Sequence, residues 1–140
     1  MKKIAHAFII LFLLCSSKSF CQTIDVQEDS LKNLLCKKWQ MDYAMMGGMK
    51  INKMPSAAEA NFEFKKDGTF IETTNKDSKK INGTWIYDKN KKHIKLTING
   101  KSSLSIISLK EDELTMLADT KQATPDDPMQ LQIVYKISSN

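Results

Sequence analysis

The chain has 140 residues, of which 41% are hydrophobic and 26% charged, with five glycines and three prolines. That is enough apolar chain for the core of one domain, so the disordered, collagen-like and multi-domain classes are excluded. The formal net charge is +5, and all 21 basic residues are lysines.

The first 21 residues have the layout of a secretory signal peptide. Lys2 and Lys3 give a positive start, residues 4–15 form an apolar run, and residues 16–21 are mostly polar. The run is shorter than the roughly 20 apolar residues that a membrane-spanning helix needs. We therefore expect export to the periplasm or the medium after cleavage near Cys21. The alternative is a lipoprotein anchored to the membrane through Cys21 or Cys15.

Removing this leader changes what the charge implies. Its three lysines leave with it, so the mature chain carries a net charge of only +2 and no arginine. Specific contacts to phosphates and base edges favour the planar guanidinium of arginine, so nucleic-acid binding is not expected. The mature chain keeps one cysteine, Cys36, and one histidine, His93. A single thiol forms no internal disulfide, and we interpret Cys36 as a small buried hydrophobic residue.

The mature chain begins with one helical pattern and continues as strands. We expect residues 22–29 to be a flexible N-terminal segment and residues 30–140 to be the folded domain. A short helix is predicted within residues 25–38, capped by Asp29 or Ser30, with Leu31, Leu34 and Leu35 on one face. Alternating segments separated by turn signals then predict eight strands, over residues 39–46, 60–65, 69–75, 81–88, 94–98, 102–109, 113–119 and 129–138.

The turn signals support antiparallel pairing of consecutive strands. Asp67-Gly68 and Asn99-Gly100 are dipeptides that tolerate the positive φ of tight hairpins. Residues 49–59 include Pro55 and are predicted to be an open loop. Because closing the sheet removes both unpaired edges, the predicted fold is all-β, an eight-stranded antiparallel up-and-down β-barrel with a short N-terminal helix.

Several of these segments together resemble the bacterial lipocalin-like domains of the calycin type. The resemblance lies in a Trp39 strand after the short helix, in the Phe-x-Phe-x-x-Asp-Gly-Thr-Phe hairpin over residues 62–70, and in Gly-Thr-Trp-x-Tyr-Asp over residues 83–88. An Ile-x-Leu-x-Ile strand at residues 94–98 and leucines at 109, 114 and 117 follow the same pattern. The resemblance implies a closed barrel in an exported protein with a binding role, and it names no ligand.

Alternate residues of the predicted strands converge on the barrel interior. The expected inward set is Phe62, Phe64, Phe70, Trp85, Tyr87, Leu96, Ile98, Met116, Ile133 and Tyr135. A barrel of eight strands is either just filled by side chains or holds one small ligand, so these residues are core fillers or ligand contacts. The candidate ligand-binding residues are Phe62, Phe64, Phe70, Trp85, Tyr87, Met116 and Tyr135. Trp85 and Tyr87 are the leading candidates for contact with a ligand, since each joins an apolar ring to a hydrogen-bonding group.

Five methionines lie close together in the sequence, and their cluster has three interpretations: Met41, Met45, Met46, Met49 and Met54. The first is a Cu(I) site, since thioethers select Cu(I), but no His or Cys accompanies them, so we expect no metal site and no cofactor. The second is a flexible Met-lined lid over a ligand mouth, and the third is ordinary packing. Asp126-Asp127 lack the spacing of a calcium loop.

Catalysis is not expected, because no nucleophile, metalloprotease or phosphate-loop motif is present. A hydrolase would require a buried carboxylate or an inward-facing His93, whereas we expect His93 on the surface and the carboxylates in turns. The prediction is therefore a monomeric exported protein that binds a small hydrophobic or amphipathic ligand in the barrel or at its mouth.

The alternative function is a structural or protein-interaction barrel of the cell envelope with a filled interior. It would show an exposed apolar patch, and Ile71, Ile86 and Ile107 are the outward-facing residues that would form one.

Overall fold

The computed structural model describes residues 24–54, 59–118 and 130–139. These residues form one α-helix followed by nine β-strands. The elements are α1 (Glu28–Leu35), β1 (Lys38–Met46), β2 (Met49–Ile51), β3 (Ala60–Phe64), β4 (Thr69–Thr74), β5 (Lys80–Asp88), β6 (His93–Ile98), β7 (Lys101–Leu109), β8 (Glu113–Ala118) and β9 (Gln132–Ile137). The leader, with Cys15 and Cys21, and the Asp126-Asp127 pair lie outside the described residues.

The sheet closes on itself as predicted. Strands β3 to β9 pair antiparallel with their chain neighbours, and β9 pairs along the length of β1. The other edge of β1 is divided. Its first residues, Lys38 and Trp39, pair with β3, and residues 44–46 pair with β2. Eight strands therefore make the barrel wall, and the β1–β2 hairpin extends that wall past one end.

The predicted turns have the predicted chemistry. Asn99 and Gly100 have φ of 52° and 74°, the two positive values that a tight hairpin requires. In the turn before β4, a carboxylate oxygen of Asp67 accepts hydrogen bonds from the Thr69 backbone N–H (2.9 Å) and hydroxyl (2.6 Å). These bonds hold the pKa of Asp67 below its usual range. Local sequence thus fixes both hairpins.

The helix closes one end of the barrel. Leu31 and Leu35 are fully buried, and the Trp39 indole N–H donates a 2.9 Å hydrogen bond to the Leu35 carbonyl. The Tyr87 hydroxyl donates to the Ile24 carbonyl at 2.6 Å, and the Ile24 N–H donates to Lys92 at 3.0 Å. We call this the closed end; it also carries the β3–β4, β5–β6 and β7–β8 turns.

Two details differ from the sequence predictions. The helix begins at Glu28 after Gln27, which makes no side-chain capping bond, so the prediction of Asp29 or Ser30 as the cap was wrong. Before the helix, Ile24 is buried and hydrogen-bonded. Residues 49–51, predicted to be loop, form β2 because β1 offers them a free edge beyond β3.

The barrel centre is filled by aromatic side chains. The ring centroid of Phe62 lies 5.4 Å from that of Tyr135 and 5.8 Å from that of Phe70, within the range of favourable aromatic pairing. The Phe70 ring lies over Gly83 on the neighbouring strand, where an added Cβ would fall 2.3 Å from Phe70 Cζ. Gly83 is therefore required by the close approach of that ring.

Candidate functional site

The structure places all ten residues of the predicted inward set in one hydrophobic core. Seven of them are buried: Phe62, Phe64, Phe70, Trp85, Leu96, Met116 and Tyr135. Tyr87, Ile98 and Ile133 are partly buried and pack against them. The alternation of side chains along the strands thus predicted correctly which residues face the interior. It did not distinguish the residues that fill the barrel from those that remain accessible.

The two leading ligand candidates have their polar groups in use. The Trp85 indole N–H donates to the Lys65 carbonyl at 3.1 Å, and the Tyr87 hydroxyl donates to Ile24. Both side chains lie towards the closed end, where the helix and the β3–β4 turn cover them. Their hydrogen bonds fasten these segments to the barrel, and this leaves little of either polar group for a ligand.

Inward-facing residues become more exposed towards the opposite end, which we call the open end. The β1–β2, β4–β5 and β6–β7 turns lie there. Five apolar side chains line it on the inner face, and each is only partly buried: Met41, Ile81, Ile98, Leu104 and Ile133. At the closed end, by contrast, Trp39, Ile94 and Leu114 are fully buried. The accessible apolar surface of the interior is therefore concentrated at the open end.

A carboxylate lies on this inner face. Glu72 pairs across the sheet with Phe62 on β3 and with Ile81 on β5, so all three side chains point into the barrel. Glu72 is half-buried, and burial raises the pKa of its carboxyl. The pKa of the Tyr135 hydroxyl is raised as well, by burial first and then by the nearby negative charge of Glu72.

The prediction that the carboxylates lie in turns is therefore wrong for Glu72. Its position two residues after Phe70 was the available signal, because residues of equal parity on a strand share a face. The charge of the Glu72 side chain, in contrast, favoured a position on the solvent-exposed outer face. Only the register against β3 and β5 shows that Glu72 follows the alternation of its strand and points inward despite its charge.

The methionine cluster divides between core, wall and rim. Met41 packs against the core, and Met45 pairs with Gln132 and Lys50. A register shift after Met41 returns Ala44 to the inner face opposite Ile133, so Met46 and its partner Met49 continue that face beyond the barrel. Met46 is 40% exposed and Met49 is 72% exposed. These two thioether side chains form an apolar rim on one side of the open end.

The outer wall carries shallow grooves. One of about 420 Å³ is lined by residues of β4, β5 and β6 that include Ile71, Asn82 and Thr97. Another, of about 280 Å³, lies between α1 and β5. Of the three outward isoleucines, Ile86 is 68% exposed, Ile71 is partly buried and Ile107 is buried. They differ too much in exposure to act as one apolar surface.

The remaining candidate groups lie away from the open end. His93 begins β6 at the closed end, where burial and then Lys91 lower its pKa. It lies at the outer-face parity, opposite Asp88, whereas Glu72 faces inward on β4, so the two make no acid–base pair. Cys36 is partly buried against the core, and burial raises the pKa of its thiol. Within residues 24–54, 59–118 and 130–139, no three His, Cys, Asp or Glu side chains are grouped to hold a metal ion.

In the part of the chain that the structure describes, no helix combines the length and apolar character needed to cross a membrane.

The closed antiparallel barrel with a helix across one end defines a barrel of the lipocalin-like class. Comparison of the sequence with known families agrees with this: residues 45–124 match the family described as Lipocalin-like domain (DUF4923). The match covers more than half of the chain, and the protein belongs to that family. No curated protein gave a significant match to the sequence.

Proposed function

We propose that the protein binds a small hydrophobic or amphipathic ligand at the open end of the barrel and performs no catalysis. The observation that carries this proposal is the gradient of burial along the interior. Leu31 and Leu35 close one end with fully buried side chains, while apolar side chains at the other end remain partly exposed. Partly exposed apolar side chains are the usual lining of small-molecule sites.

The packed centre limits how deep a ligand enters. Phe62, Phe64, Phe70 and Tyr135 have ring centroids 5.4–6.0 Å apart, so they already fill the middle of the barrel. The ligand would therefore lie at the mouth, with its apolar part against Leu104 and Ile133. The exposed rim of Met46 and Met49 would cover it, since unbranched thioether side chains adapt to ligands of different shape.

A matched pair of substitutions on one strand tests this location. Leu104 and Leu109 are both partly buried residues of β7 that pack on the core, Leu104 towards the open end and Leu109 towards the closed end. Binding of decanol is measured by displacement of an apolar fluorescent probe. We expect Leu104→Trp to fill the mouth and weaken binding at least about tenfold, a loss of roughly 1.4 kcal/mol. Leu109→Trp should leave the affinity unchanged.

Two outcomes would contradict the proposal. If Leu109→Trp weakens binding and Leu104→Trp does not, the ligand enters at the other end. If neither decanol nor a lipid extract displaces the probe from the wild-type protein, the filled-barrel alternative is favoured, a structural or interaction barrel of the cell envelope. Circular dichroism of both variants shows that each retains the β-fold.

We further propose that the chain is exported and acts as a monomer in the periplasm or outside the cell. The positive start, apolar run and polar exit of residues 1–21 support export. The intact mass of protein recovered from the envelope distinguishes a chain that starts at Gln22 from a lipid-modified one that starts at Cys21 or Cys15. A mass that still includes the leader would contradict export by cleavage.

A further inference from the structure

We propose that Glu72 selects ligands that carry an organic ammonium group, so that the preferred ligand is a cationic amphiphile. This inference rests on the proposed function, because it assigns a chemical class to the ligand of the open end. Three features of the structure lead to it: the inward position of the carboxylate, the apolar character of its surroundings and the aromatic rings beside it.

The position of Glu72 is fixed by the sheet. Its backbone lies between Phe62 on β3 and Ile81 on β5, in an unbroken stretch of ladder that runs from Ala60 to Phe64 and from Lys80 to Thr84. Because residues of equal parity on a strand share a face, the carboxylate cannot turn outward without a slip of β4 that would also turn Phe70 out of the core. Glu72 is therefore held at the border between the packed rings and the open mouth.

The surroundings offer the carboxylate no countercharge from the wall. Within the described residues, the Glu72 carboxylate takes part in no hydrogen bond or ion pair. Lys101, the cross-strand partner of Ile98, lies at the rim of the same face and makes no ion pair with Glu72 among the described residues. Since a half-buried charge without a partner is unfavourable, a ligand that brings a positive charge to this place would remove that cost.

The rings beside Glu72 form an apolar floor. Phe62 is its direct cross-strand neighbour, the Tyr135 ring stands edge-on to Phe62 at 5.4 Å, and both rings are buried. The cation would therefore be bound by the carboxylate itself, through a charge-assisted hydrogen bond above this floor. An ammonium group at Glu72 would place the attached alkyl chain against Ile81, Ile98 and Leu104.

A set of ligands with one alkyl chain and different head groups tests the charge preference. Decylamine, decanol and decanoate are compared by displacement of a neutral apolar probe at pH 7.5. We expect wild-type protein to bind decylamine about tenfold or more tightly than decanol, and decanoate less tightly than decanol. Glu72→Gln should bind all three with similar affinity, because it keeps the shape of the side chain and removes its charge.

Glu63→Gln is the matched control. Glu63 lies on β3 directly beside Phe62, so its side chain points to the outer wall, where it lines a groove of about 280 Å³. This substitution changes the net charge by the same amount as Glu72→Gln. It should therefore preserve the preference of the wild-type protein for decylamine. If both variants lose that preference equally, the effect is general electrostatics and the assignment to Glu72 is wrong.

The outcomes separate this inference from the proposed function. If decanol binds and Leu104→Trp weakens that binding, the mouth is the site. Decylamine binding no tighter than decanol, or decanoate binding best, would then overturn the ammonium preference alone. If none of the three displaces the probe from the wild-type protein, the proposed function fails first, and the ammonium preference fails with it.

Discussion

The two ends of this barrel are built on the same alternating strands and, among residues 24–54, 59–118 and 130–139, differ in what covers them. At the closed end, Trp39, Trp85 and Tyr87 each donate a hydrogen bond to the backbone of a covering segment. At the open end, Met41, Ile98 and Ile133 pack on the core from one side and remain partly exposed on the other. The comparison indicates that stability is concentrated at the closed end, whereas the binding proposed above would take place at the open end.

The largest effect expected from this comparison is that of Trp85→Ala. The ring is 7% exposed and its indole N–H donates to the Lys65 carbonyl, so its removal leaves a cavity and loses that hydrogen bond. We expect a loss of about 3–5 kcal/mol in the free energy of unfolding, measured by urea denaturation. Ile98→Ala at the open end should cost less than about 2 kcal/mol, because its side chain is only partly buried. Equal losses would show that the two ends do not differ in this way.

Gly83→Ala should have the next largest effect. A Cβ at this position would meet Phe70 Cζ at 2.3 Å and the Thr97 carbonyl oxygen at 2.8 Å. Overpacking of this kind costs about 1–3 kcal/mol, and we expect a lower thermal midpoint with the fold retained. Phe70→Leu combined with Gly83→Ala should lose less than the sum of the two single variants. Strict additivity would mean that the ring and the glycine are independent.

The central barrel was predictable from sequence because its signals are local. Ile94, Leu96 and Ile98 alternate with polar residues, and Asn99-Gly100 has the positive φ values its dipeptide favours. Strand β2 was missed because Met49-Lys50-Ile51 is too short a run to identify a strand, although Gly47-Gly48 before it has the positive φ values of a tight hairpin; the three residues pair with the free edge of β1. The inward position of Glu72 was missed for a related reason. It depends on register with β3 and β5, and the polarity of the residue pointed the other way.

Tyr87→Phe tests how the N-terminal segment is fastened. The substitution keeps the ring and removes the hydroxyl that donates to the Ile24 carbonyl at 2.6 Å. The expected loss is about 0.5–1.5 kcal/mol, with faster hydrogen exchange of the Ile24 amide, which is bonded to Lys92. The matched control is Tyr43→Phe on the β1 wall, where the Lys50 ammonium lies 3.9 Å from the ring centroid, a contact that Phe retains. Unchanged exchange at Ile24 in Tyr87→Phe would refute the fastening role.

The smallest effect is expected for Glu72→Gln, and its sign is opposite to the others. Burial raises the pKa of Glu72 in the folded protein, so the folded state keeps the proton to a higher pH than the unfolded chain does. Stability linked to this group is fully present below the ordinary glutamate pKa of about 4.3 and is lost as the pH rises through the folded pKa.

Glu72→Gln should therefore unfold at higher urea than the wild type at pH 7, and the two midpoints should converge below about pH 4. The difference should be small, since the carboxylate is half exposed and solvent screens it. Asp67, Asp77 and Asp88 have lowered pKa values and lose stability in the opposite direction, towards acid. Both proteins have these three carboxylates, so their contribution cancels in the difference between the two urea midpoints. A variant less stable than the wild type at pH 7 would mean that Glu72 has a stabilising partner in the folded protein, and the argument for a ligand cation would lose its basis.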